Sequence, residues 1–157
     1  MPSKAKINPP KLIIDLQYAS PAIESTISKV ASSVLIKKWV KNATPLGGLV
    51  TLRFVNAAEG KKLNLDFRQK DYATNVLTFA YELSKNALAT DIIFCLPVLQ
   101  KEAREQSKSL KTHLAHLVVH GCLHAQGYDH EVGRDAKKME ALEIQILKKL
   151  GFPNPYS

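Results

Sequence analysis

Cysteine is nearly absent, with Cys95 and Cys122 the only two among 157 residues. That is too few for a disulfide framework. Glycine (7) and proline (8) are also sparse, which excludes collagen-like and low-complexity architectures. No apolar run approaches the roughly eighteen residues of a membrane span, so no membrane partner is expected. Nor does a charged start, apolar run and small-residue cleavage site open the sequence, and the expected location is cytoplasmic and reducing. What remains is 45% hydrophobic and 23% charged, the composition of an ordinary globular domain. A chain of this size can bury roughly 70% of its unfolded surface and needs neither disulfide nor metal to fold. One domain over residues 1–157 is expected, with residues 1–10 as a loose, Pro-ended terminus. Any metal site in it is then functional rather than structural.

Acidic residues are scarce in one half only. Residues 1–70 carry 12 Lys and Arg against 4 Asp and Glu, while residues 71–157 carry 10 of each, so the whole +8 excess lies in the first half. A one-sided excess favours a polyanionic partner such as RNA, DNA or a phospholipid surface. A solvated surface that aids solubility explains it equally well. The first reading predicts that the charge lines one cleft after folding, the second that it is scattered.

The apolar pattern predicts strands over Lys11–Ala19, Leu49–Asn56, Val76–Tyr81 and Asp91–Leu96, the last two paired. Helical spacing runs from Pro21 to about Asn42, from Pro97 through His124, and from about Gly133 to Leu150. A short helix over Ala57–Leu65 leaves Asp66–Asn75 as a polar loop. The expected class is α+β, a small mixed four-stranded sheet packed with about five helices.

Histidine is missing from the first 112 residues, and all five, His113, His116, His120, His124 and His130, fall in one short stretch. On a helix His120 and His124 stand about 40° apart and one turn on, so both can bind one ion. Gly127 can take the left-handed conformation that ends the helix and brings His130 back as a third ligand. Three imidazoles with an open position make a catalytic zinc site, here at the end of a long helix. The spacing equals that of the metzincin proteases, but Gly121 stands where those enzymes place their Glu base. The geometry for metal is kept and the peptidase base is missing.

The neighbours carry plainer expectations. His113 and His116 lie too far along the axis to ligate and are expected to support the site or the fold. Cys122 points into the core and Cys95 sits in a buried strand. Asp129 either orients a ligand histidine or caps the next helix. Tyr128 packs. Glu131, Glu140 and Glu143 read as solvated helix residues, with Glu140 or Glu143 able to face back toward the site. Arg68, in the polar loop with Lys70 close by, can clamp a phosphate or stabilise negative charge, or can simply be exposed.

Three segments together resemble the YbeY-type zinc-dependent endoribonucleases of bacterial ribosomal RNA maturation. They are His120-Gly121-x-Leu123-His124-x-x-Gly127-Tyr128-Asp129-His130, Arg68-x-Lys70-Asp71-x-x-Thr74-Asn75-Val76-Leu77-Thr78-Phe79, and Asp91-Ile92-Ile93. The likeness spans about Leu49 to the end, with departures at Thr90, where Gly is usual, and Ala125, where an aliphatic residue is usual. It implies one Zn2+ per chain on His120, His124 and His130, and Arg68 as a catalytic or RNA-binding residue. It also implies cleavage of single-stranded RNA, with ribosomal RNA and the small ribosomal subunit as partners, in 3′-end maturation and ribosome quality control. DNA is not an expected partner. The alternatives are a non-catalytic zinc-containing factor that docks on ribosomal RNA, and a zinc peptidase that Gly121 disfavours.

Overall fold

The computed structural model describes residues 11–83, 87–128 and 133–157. The elements run β1 (Leu12–Tyr18), α1 (Pro21–Val30), α2 (Ser33–Ala43), β2 (Gly47–Val55), α3 (Ala57–Arg68), β3 (Val76–Leu83), β4 (Ala87–Cys95), α4 (Leu96–Glu105), α5 (Leu110–Ala125) and α6 (Gly133–Lys149). The sheet order is β1-β2-β4-β3. β1, β2 and β4 are parallel, and β3 pairs antiparallel with β4 at one edge. The fold is α+β with a mixed four-stranded sheet, as the pattern predicts.

Six helices stand where about five were expected; the four helical stretches of the pattern become six because two of them are each cut by a serine. Ala31 is extended and the Ser32 hydroxyl accepts from Leu35 N–H at 3.1 Å, which ends α1 and starts α2. Ser107 takes φ 53 and Ser109 accepts from Thr112 N–H at 3.1 Å, dividing α4 from α5. An N-cap of this kind contributes about 1 kcal/mol, enough to redirect the chain without disturbing apolar periodicity. α3, by contrast, outruns its expected end at Leu65. It closes on Gln69 in the left-handed region, so Arg68 leaves from a helical turn and not from a loop.

Alternation of side chains gives the sheet two unlike faces. Val50, Leu52, Phe54, Leu88, Ile92 and Phe94 join α1, α2, α5 and α6 in the main core, around the fully buried Trp39 and Met139. The other face holds a smaller cluster of Val55, Leu77, Ile93 and Cys95 beneath Leu63 of α3. Thr90 is buried, with its hydroxyl donating to Phe79 O at 2.9 Å, so this departure from the family pattern is accommodated. Among the described residues no helix is long and apolar enough to cross a membrane.

Gly121 fixes how closely α5 approaches the sheet. A Cβ there would lie 2.9 Å from Ile92 Cγ2 and 3.5 Å from Val76 Cγ2. The position that would carry the peptidase Glu therefore faces the sheet, with no room for a side chain. Gly121→Ala is expected to lower stability by about 1 kcal/mol net, since overpacking costs about 1–3 kcal/mol and the helix preference of Ala over Gly returns up to about 1 kcal/mol. Thermal unfolding checks this, and a raised Tm in Gly121→Ala would contradict it.

Candidate active site

α5 carries four histidines along one side, His113, His116, His120 and His124, with successive ring centroids 6.4, 6.1 and 6.4 Å apart. The spacings of three, four and four residues produce this ladder on a 3.6-residue helix. The rings of His120 and His124 lie within 13° of parallel.

Two carboxylates hold the ladder. Glu102 of α4 meets His113 Nε2 at 3.0 Å and also accepts from Asn75 Nδ2 at 3.2 Å. Glu143 of α6 is fully buried and accepts three hydrogen bonds, from His116 Nε2 at 2.7 Å, His120 Nδ1 at 2.7 Å and the Tyr156 hydroxyl at 2.6 Å. Burial alone would push its pKa up, but the bonds from His116, His120 and Tyr156 outweigh burial and bring it down to about 2. It is ionised at neutral pH and can only accept. The His120 proton is therefore on Nδ1, and its lone pair is on Nε2, the atom a metal takes. Burial and the adjacent Glu143 raise the Tyr156 phenol, which keeps its proton.

Nitrogens of His116 and His120 and a Glu143 oxygen lie within 4.8 Å of one another, so this group could hold a metal ion. The donor chemistry suits a borderline ion such as zinc. The 2.7 Å separations are hydrogen-bond lengths, shorter than the roughly 3.3 Å between co-ligands implied by bonds of about 2.0–2.1 Å to a tetrahedral ion.

The histidines open on a cleft of about 470 Å³ that His116, His120, His124 and Tyr156 share with Asn75, Thr78 and Arg68. Arg68 is exposed and reaches over the edge strand β3, where its Nη2 donates to Thr78 O at 3.5 Å. Asn75 is pinned by Glu102 and by its own acceptance of Val76 N–H at 2.7 Å. Buried Asn64 donates to Tyr72 O at 2.7 Å, tying the segment after α3 to that helix.

Of the four site residues expected from sequence, Arg68, His120 and His124 meet in this cleft. His130 and Asp129 lie outside the described residues, as does Glu131. The turn expected after His124 is present: Gly127 takes φ 95, and Tyr128 N–H bonds Leu123 O at 3.2 Å, closing α5. Tyr128 packs on the main core, and both cysteines are buried. The Cys122 thiol is pushed up to about 12 by burial. Among the described residues Arg68 is the one Lys or Arg lining the cleft, so the basic excess is not gathered on its walls.

Glu143 and Tyr156 are the residues that sequence reasoning undervalued. Glu143 lies four residues from Met139 and four from Leu147, both buried, so it occupies the apolar stripe of α6. A carboxylate in such a stripe needs partners, and the unassigned histidines were candidates. Tyr156, beyond the last helix, carries no comparable signal.

Comparison with known proteins gives one consistent result. A family model described as "Endoribonuclease YbeY" matches residues 14–151. A protein named "Endoribonuclease YbeY" from Polynucleobacter asymbioticus is 70% identical over 146 residues, covering 93% of this chain and 94% of its own. One of the same name from Herminiimonas arsenicoxydans is 52% identical, covering 93% and 96%. A solution structure of a Thermotoga maritima protein matches with a TM-score of 0.55 at 22% identity, over 92% of this chain and 99% of that one. That last likeness concerns the fold.

Glu143→Gln leaves an amide N–H facing an imidazole N–H and should cost about 1–3 kcal/mol. The folded-state pKa is depressed from its ordinary 4.5 to about 2, so the carboxylate's contribution is complete above 4.5 and is lost as pH falls toward 2. Urea unfolding should therefore show a gap between wild type and Glu143→Gln that is full at pH 7 and narrows below pH 4.5. A gap independent of pH would contradict the assignment of charge.

Proposed function

The chain belongs to the endoribonuclease YbeY family, and from that premise we propose that it cuts single-stranded RNA at a zinc ion held by His120, His124 and His130, with Arg68 binding the scissile phosphate. The carrying observation is that Arg68 borders the same cleft as His120 and His124 although it comes from a different helix. Neither the fold nor the core requires an exposed arginine on that wall.

His120, His124 and His130 would hold the zinc, which when bound would supply Lewis acidity toward the scissile phosphate. The rest of the work falls to side chains. Glu143 holds the Nδ1 proton of His120 and so presents Nε2 for ligation, the arrangement of a carboxylate–histidine–metal unit. His116 and Tyr156, on the same carboxylate, fix its position beside His120. Arg68 keeps N–H groups beyond the one on Thr78 O, and two of these can meet phosphate oxygens as charge builds on them. Asn75 and Thr78 add polar wall on the strand side.

We further assign the substrate as ribosomal RNA of the small subunit, cut in 3′-end maturation and quality control in the cytoplasm. The family resemblance supports this; the basic excess adds nothing to it, because Arg68 is the one Lys or Arg on the described walls of the cleft.

His124→Ala should lose both bound metal and cleavage of a single-stranded RNA, measured by elemental analysis and gel assay on the same preparation. Equal cleavage by the two proteins would reveal a contaminating nuclease and sink the proposal. Arg68→Ala should keep its metal and lose about 10²–10³-fold in kcat. If Arg68→Ala instead keeps kcat and only weakens RNA affinity and its salt dependence, the arginine docks RNA and takes no part in the cut.

A further inference from the structure

The edge strand β3 faces two different hollows. Val76 and Thr78 point into the histidine cleft, whereas Phe79 and Tyr81 point to the other side of the sheet. There they line a groove of about 360 Å³ with Phe67, Leu63, Asp91 and Ile93. Phe67 and Tyr81 are 65% and 69% exposed, unusual for aromatic rings in a chain with an adequate core. Phe67 packs edge-on against Phe79, with centroids 5.3 Å apart at 69°, which leaves a ring face open. Tyr81 stands at a β-bulge, one extra residue between the pairs Ala80–Thr90 and Glu82–Ala89, and its hydroxyl donates to Asp91 at 2.6 Å. Bulges re-aim side chains at sheet edges and beside active sites.

Adjacent residues of α3 border the groove and the cleft. Phe67 lines the groove, and Arg68, the next residue, lines the cleft and bonds the backbone of β3. A strand of RNA whose phosphate sits at Arg68 needs to cross only the width of β3 to bring a neighbouring base to Phe67. We propose that this groove is a stacking site for a nucleobase flanking the scissile phosphate. The proposal rests on the reading of the cleft as a ribonuclease site.

The chemistry of the lining selects a base over other parts of the strand. Open aromatic faces stack any base. Asp91 repels phosphate, so the backbone stays on the arginine side, while its carboxylate can accept from the amino group of a base. Tyr81, fixed by the bulge and by Asp91, closes the far end.

A single-stranded RNA carrying 2-aminopurine beside the cleavage position tests this with the metal-loaded, full-length protein. Fluorescence should be quenched on binding to wild type. Phe67→Leu and Tyr81→Leu should each relieve the quenching and raise Kd about tenfold, within the range for loss of one base–aromatic stack. Both side chains are largely exposed, so the variants should fold, with circular dichroism and metal content as checks. Ile13→Ser, exposed on the far edge strand β1, should leave Kd unchanged. Wild-type Kd and quenching in both groove variants would overturn the proposal, as would an equal loss in Ile13→Ser. Normal RNA binding with altered self-association in sedimentation would overturn it in favour of a protein partner. If wild type binds and quenches but never cuts, the ribonuclease reading fails while the groove variants still decide the stacking site.

Discussion

A single buried negative charge organises this protein's chemistry. Glu143 is fully buried, and a carboxylate in that position is tolerable only when its oxygens are met by donors. The three that meet it come from two elements, His116 and His120 on α5 and Tyr156 beyond α6. Docking of α6, seating of the terminal segment and orientation of the histidines are thus one event. The same contact sets which nitrogen of His120 carries the proton, so a requirement of folding also orients a side chain that lines the cleft. Lys108 reinforces the arrangement by donating to Pro155 O at 2.9 Å, which holds Tyr156 in place.

The second constraint is the contact between α5 and the sheet. Gly121 brings the helix against Ile92 and Val76, and this sets the histidine ladder beside β3. β3 is an edge strand, so its outer side is open for Arg68 to reach across from α3. The cleft is therefore assembled from segments far apart in sequence, and each is positioned by a contact unrelated to catalysis. Asn75 shows the same economy, because Glu102 ties it to His113 and the strand side of the cleft to α5.

Much of this was legible in the chain. Strand positions followed from short apolar runs between turn residues; all four formed, three close to their expected bounds and β4 starting four residues before the expected Asp91, at Ala87. That His120 and His124 share one face of the helix was readable from their four-residue spacing, and the helix end at Gly127 because reversal needs a left-handed residue. Arg68 was readable only beside its neighbours in the family pattern. The helix breaks were hidden, since a serine cap alters direction while leaving apolar periodicity intact. Glu143 was legible only as one of two glutamates able to face the site, for a related reason: charge argues for solvent, and only its place between Met139 and Leu147 argues otherwise. The role of Tyr156 depends on a tertiary contact that no local pattern encodes.

The placement of the two thiols bears on how the enzyme would withstand oxidants. Cys122 lies between His120 and His124 in sequence, where a thiolate would compete for a soft or borderline ion and be open to oxidation. The helix turns it away into the core, and burial keeps it a protonated thiol. Cys95 is likewise buried and its pKa raised. Imidazole rings line the cleft with Tyr156, Asn75, Thr78 and Arg68, and none of these climbs the oxidation ladder of sulfur. The cleft is built to keep its composition when the redox balance of its surroundings shifts.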